Sequence, residues 1–216
     1  MKKYDTVIFD LDGTLLNTLE DLADAVNYVM EKNGFPRRTL EEVRHFVGNG
    51  IRRLMELSVP ETVTGEQFER VFEEFREYYT GHCQIKTRAY DGIKELLEKL
   101  HCKQYSMAIV SNKNHAAVQE LNDIYFQKYI RTAIGQKDGI RKKPAPDTVL
   151  QALKELGKSA EHAVYVGDSE VDFKTAVNAG MDCILVTWGF RTMEELADFS
   201  PKAFIRQPEE FWAVLE

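Results

Sequence analysis

The sequence has 216 residues, enough for one large domain or for a core of ordinary size with a smaller companion. Apolar residues make up 44% and charged residues 29%, so the chain can bury a core without a disulfide or metal staple. A formal net charge of −7 argues against a nucleic-acid partner, whose binders present a basic face, and leaves room for a small anionic substrate that needs only local positive charge.

Met1-Lys2-Lys3 leads straight into Tyr4-Asp5-Thr6-Val7-Ile8-Phe9-Asp10, too short for a secretory signal core. Strands are expected at Thr6 to Phe9, Ser106 to Val110, Thr132 to Ile134, Ala163 to Val166 and Cys183 to Val186, with a weaker one at Ala203 to Ile205. The runs Val7-Ile8-Phe9 and Met107-Ala108-Ile109-Val110 do not alternate, as expected of strands covered on both faces. Nearly all the chain between the first two strands reads as helix. Thr18 with Asp21 predicts a capping-box start, and Leu19, Leu22, Ala23, Val26 and Met30 then follow at helical spacing as far as Gly34. Helices are expected near Thr39 to Phe46 and Gly50 to Ser58. Thr64 with Gln67 opens a fourth, in which Phe68, Val71, Phe72, Phe75 and Tyr79 form one bundle-facing stripe. Later helices are expected near Gly92 to Leu100, Asn114 to Asp123, Asp147 to Leu156, Glu170 to Ala179 and Pro208 to Leu215.

The expected fold is therefore α/β: a Rossmann-like parallel sheet core, residues 1–15 and 84–216, with an inserted four-helix bundle over 16–83. No apolar run approaches the ~20 residues of a membrane span. Cys83, Cys102 and Cys183 show no CxxC spacing and read as reduced thiols of a cytoplasmic protein.

Four groups of residues fall at strand ends on the edge where open parallel sheets bind ligands. Asp10 and Asp12 lie two apart after the first strand, so both can face one ligand; taken alone, a solvated turn is the lesser alternative. Asp168 and Asp172 follow a later strand, where helix capping would account for either alone. Carboxylates collecting at two such ends make a hard-oxygen site suited to Mg²⁺. Ser111-Asn112 and Lys143 could hold phosphate oxygens; singly, the serine reads as a helix cap and the lysine as part of a solvated basic loop.

Taken in order, Asp10-Leu11-Asp12-Gly13-Thr14, Ser111, Lys143 and Gly167-Asp168-Ser169-Glu170-Val171-Asp172 resemble the four motifs of the haloacid dehalogenase superfamily of phosphatases. The resemblance spans the chain and is nearest to the phosphoglycolate phosphatase-like subgroup, whose helical cap domain is inserted at the same place. It implies that Asp10 is the nucleophile that forms an aspartyl-phosphate and that Asp12 is the acid and then the base. It further implies that Ser111, Asn112 and Lys143 hold phosphate, and that Asp10, the Asp12 main chain, Asp168 and Asp172 hold or support Mg²⁺. Val47-Gly48-Asn49-Gly50 resembles the subgroup's substrate loop, which makes Gly48, Asn49 and Arg52 candidates for choosing the ester; as ordinary bundle residues they would choose nothing.

The substrate implied is a small phosphorylated metabolite such as phosphoglycolate. Asn17-Thr18, Asp91 and Glu170 depart from the subgroup, where Asp-Ser, proline and arginine are common. Sugar-phosphate phosphatase, inorganic pyrophosphatase and phosphomutase share the core chemistry and stay open. A metal-free dehalogenase does not need Asp12 and Asp168 in these settings. A phospho-receiver module carries its reactive aspartate on a later strand and has no helical insert.

Overall fold

The run Thr6–Phe9 (β1) is buried along its whole length because it lies in the middle of a sheet. The computed structural model describes residues 3–215. The chain divides into two units, Met1–Leu16 with Ala89–Glu216, and Asn17–Arg88.

In the first unit, β1 is joined by β4 (Ser106–Asn114), β5 (Thr132–Gln136), β6 (Ala163–Gly167), β7 (Asp182–Val186) and β8 (Ala203–Ile205). The order is β5-β4-β1-β6-β7-β8, every pairing parallel. All six expected strands are present, and the α/β class with them. The side chains of β1 alternate between two apolar layers. Val7 and Phe9 join the layer that holds α5 (Ile93–Cys102) and α6 (His115–Tyr125). Ile8 joins the layer that holds α7 (Asp147–Leu156) and α8 (Glu170–Asn178). From β1 the sheet grows one way through β4 and the other way through β6, which opens a crevice at the carboxyl ends of those three strands. The chain finishes with a short 3₁₀ turn over Pro208–Phe211 and α9 (Trp212–Leu215).

The second unit holds α1 (Leu19–Lys32), α2 (Leu40–Phe46), α3 (Ile51–Ser58) and α4 (Gly65–His82). Val26, Met30, Val43, Leu54, Val71 and Phe75 fill their shared core. The two-residue strands β2 (Leu16–Asn17) and β3 (Arg88–Ala89) carry the chain into and out of this unit and pair with each other.

Two local expectations need correction. Thr18 makes no side-chain cap on α1, and Thr64 makes none on α4. At α1 the reason is tertiary: Asp21 turns away from the helix start to accept Lys86 N–H (2.9 Å), Thr87 N–H (2.8 Å) and the Thr87 hydroxyl (2.8 Å). The same contacts keep residues 86–87 in the helical unit, which runs to Arg88 rather than to the expected 83. Capping boxes form instead at Thr39 with Glu42 and at Ser169 with Asp172. Among the described residues no helix is long and apolar enough to cross a membrane.

Candidate active site

Asp10 leaves β1 with its N–H still donating to Val166 O (2.8 Å), so its backbone position is set by the sheet ladder. The chain then coils tightly: Leu11 O accepts from Leu15 N (3.0 Å) and Leu16 N (2.9 Å), with Gly13 in the left-handed region at φ +89°. Glycine serves twice here, because a Cβ at this position would also overlap the Asp168 carboxylate.

Lys143 is buried between two carboxylates. Its Nζ lies 2.7 Å from Asp10 Oδ1 and 2.8 Å from Asp172 Oδ1, and donates to the Tyr165 hydroxyl at 3.1 Å. Burial would strip its proton, but the two carboxylates outweigh burial and hold the ammonium above its ordinary range. Asp10 is pushed well up, by burial first and by the charge of Asp172 second, with Lys143 opposing. Tyr165 is also pushed well up by burial and by Asp172.

Asp172 is wholly buried and accepts from both sides. Its Oδ2 takes Asp168 N–H (3.2 Å), Ser169 N–H (3.1 Å) and the Ser169 hydroxyl (2.6 Å). Its Oδ1 takes Lys143 and Tyr165 (3.0 Å). Capping and a place in the site, rivals in the sequence, are satisfied by different oxygens of one carboxylate.

Asp168 Oδ2 accepts Phe190 N–H at 2.7 Å, and Oδ1 accepts the Thr14 hydroxyl at 3.3 Å. Its carboxyl is pushed up to about 7, by burial first and then by Asp172, with the Phe190 N–H opposing. Glu170, one of the departures, pairs with Arg191 at 3.1 Å. Asp10, Asp168 and Asp172 each offer a carboxylate oxygen within 4.8 Å of one another. An all-oxygen set in which burial and the neighbouring Asp172 charge make Asp10 and Asp168 resist ionisation fits a hard cation, whose charge would offset both. The Asp12 carboxylate is outside this trio; the part expected of that residue runs through its main-chain oxygen.

Asp12 is met instead by Lys113, whose Nζ lies 3.0 Å from Oδ1, and by the Ser111 hydroxyl at 3.5 Å from Oδ2. Asn112 spends both ends of its side-chain amide on the Lys143 main chain: Oδ1 accepts Lys143 N–H (2.8 Å) and Nδ2 donates to Lys143 O (3.1 Å). Its side chain thus fixes the loop that carries Lys143.

Residues 7–186 match the haloacid dehalogenase-like hydrolases. The chain belongs to this family. Phosphoglycolate phosphatases of Aliivibrio fischeri and Aquifex aeolicus are each 32% identical to it, over 202 and 197 residues. The match takes in 90% of this chain in both cases, and 89% and 90% of theirs. The crystal structure of a "putative phosphoglycolate phosphatase" from Lactobacillus delbrueckii subsp. bulgaricus is 38% identical, with a TM-score of 0.93 over 99% of each chain.

This haloacid dehalogenase-like chain thus brings Asp10, Asp12, Ser111, Asn112, Lys143, Asp168 and Asp172 together in its first unit, from separate stretches of sequence. Lys113 and Tyr165 also belong there and escaped the sequence reading. Lys113 stood two residues beyond Ser111, the one signal that could have found it; Tyr165 looks like any aromatic in a buried strand. In the helical unit, Gly48 and Gly50 take φ +122° and +84° around Asn49. Arg52 pairs with Glu69 and lies 5.2 Å from the centres of the Phe68 and Phe72 rings.

Proposed function

We propose that the chain is a Mg²⁺-dependent phosphatase that hydrolyses a small phosphate monoester, phosphoglycolate-like, through an aspartyl-phosphate on Asp10. The observation that carries this reading is the pair of carboxylates at the end of β1, each gripped by its own buried lysine, Asp10 by Lys143 and Asp12 by Lys113. The named activity of relatives that match nine-tenths of the chain supports phosphoric monoester hydrolysis as the reaction class.

Lys143 holds Asp10 Oδ1, so the carboxylate plane is set before substrate arrives. A carboxylate oxygen of Asp10 attacks phosphorus, the bond from phosphorus to the ester oxygen breaks, and Asp12 gives that oxygen its proton. Asp12, now ionised, takes a proton from the water that attacks the aspartyl-phosphate, and Asp10 is released as carboxylate. Ser111 and Lys143 face the transferring phosphoryl group. Asp10, Asp168 and the Asp12 main chain, with Asp172 in support, would hold Mg²⁺, which would supply positive charge against the phosphoryl oxygens. In this reading the helical unit is the cap, and the turn at Gly48-Asn49-Gly50 chooses among esters, with Arg52 a lesser candidate because its guanidinium is already engaged.

Phosphate release from a panel of esters and pyrophosphate, with Mg²⁺ and then with excess chelator, tests the reaction and ranks the substrates. Rapid-quench labelling tests the roles. With an activated aryl phosphate, Asp12→Ala is expected to accumulate phosphoenzyme while steady turnover falls, and Asp10→Asn to show neither label nor turnover. Wild-type levels of label on Asp10→Asn would sink the assignment of the nucleophile.

A further inference from the structure

Lys113 sits on the tail of β4, two residues after Ser111, where the pairing with β5 shifts register, and both side chains reach Asp12. Its side chain is only 6% exposed, which separates it from a solvated surface lysine. Burying an ammonium is costly, and freezing so long a side chain adds to the cost, so its position calls for an explanation. Asp12 meets its Nζ at 3.0 Å. Lys113 N–H donates to the Ser111 hydroxyl at 3.1 Å, and that hydroxyl reaches the other oxygen of Asp12. Asp12 is therefore held at both oxygens from a single tripeptide. The backbone beneath is close-packed too, since a Cβ on Gly135 of β5 would strike Lys113 O. Lys143 cannot take over, because Asp10 and Asp172 occupy it.

Resting on the phosphatase reading, we infer that Lys113 is a positioning residue that holds the Asp12 carboxylate in line for both of its proton transfers. It acts on the phosphoryl transfer through Asp12. A displacement of a catalytic group by ~1 Å costs on the order of 10²-fold in rate, and a general acid or base contributes on the order of 10²- to 10⁴-fold.

The test is a double-mutant cycle, read in single turnover on an alkyl phosphate whose poor leaving group needs the acid. K113M is expected to slow the single turnover by about 10²-fold while the half-saturating ester concentration changes little. K113R, which keeps the charge, is expected to recover part of the rate. Added to D12N, K113M is expected to cost nothing further. A further loss of about 10²-fold on the D12N background overturns the inference, since Lys113 would then act on substrate or fold directly. If K113M does not fold, as circular dichroism would show, K113Q and K113R run through the same cycle decide it in the same way. Active wild-type enzyme with additive losses removes the inference alone, whereas a wild type inert towards every ester removes the phosphatase reading beneath it.

Discussion

Asp168→Asn separates what the site needs from what the fold prefers. The carboxyl of Asp168 titrates near 7 in the folded chain, against an ordinary 3.8. Because the folded-state value is raised, the folded chain binds the extra proton between these two pH values, and stability falls as pH rises through that window. Once the group is ionised in both states, it opposes folding by about 4 kcal/mol, an upper bound on a domain worth about 5–15 kcal/mol. Asparagine matches the shape and keeps an oxygen for Phe190 N–H, the 2.7 Å contact, without the charge. In metal-free buffer at pH 8 the variant is therefore expected to be more stable than the wild type, with the difference vanishing towards pH 4. Mg²⁺ is expected to stabilise the wild type much more than the variant, and phosphate release by the variant to collapse. Urea denaturation across pH, with and without Mg²⁺, measures the stabilities, and a phosphate-release assay the turnover. A variant less stable than wild type at pH 8 without metal, or an equal gain from Mg²⁺ in both proteins, would refute the reasoning.

Lys143→Met leaves Asp10 and Asp172 buried without their shared cation, a change expected to cost about 3–5 kcal/mol by chemical denaturation and to abolish turnover. Asp21→Ala strips the acceptor from Lys86 N–H and Thr87 N–H; about 3 kcal/mol of stability and the hydrogen-exchange protection of both amides should go with it. Arg52→Ala removes exposed pairs and ring contacts worth about 1 kcal/mol, and is expected to change kcat/KM for every ester by the same factor. A shift in preference between charged and neutral esters would instead assign Arg52 to substrate choice.

The six strands were legible because each is a short apolar run, and in β1 and β6 burial along the whole strand leaves no alternation to read; β1 and β8 carry the expected bounds. The motif aspartates were legible because strand ends are visible in one dimension. Local signals stopped where a side chain had a distant suitor. Thr18 with Asp21 has the spacing of a capping box, but a carboxylate that can take two N–H groups and a hydroxyl from residues 86–87 is better satisfied there than at its own helix start.

By itself the sequence determined the class of fold, the insertion of helices after the first strand, and the acids and lysine proposed for the site, because period and spacing are local properties. Only the tertiary structure decided the strand order β5-β4-β1-β6-β7-β8, which places β4 and β6 on either side of β1 and so draws their ends together. It alone decided which lysine serves which carboxylate, Lys143 for Asp10 and Lys113 for Asp12. Such pairings depend on separations of 2.7 Å and 3.0 Å between residues far apart in the chain, and a buried charge takes whichever partner the packing brings within reach.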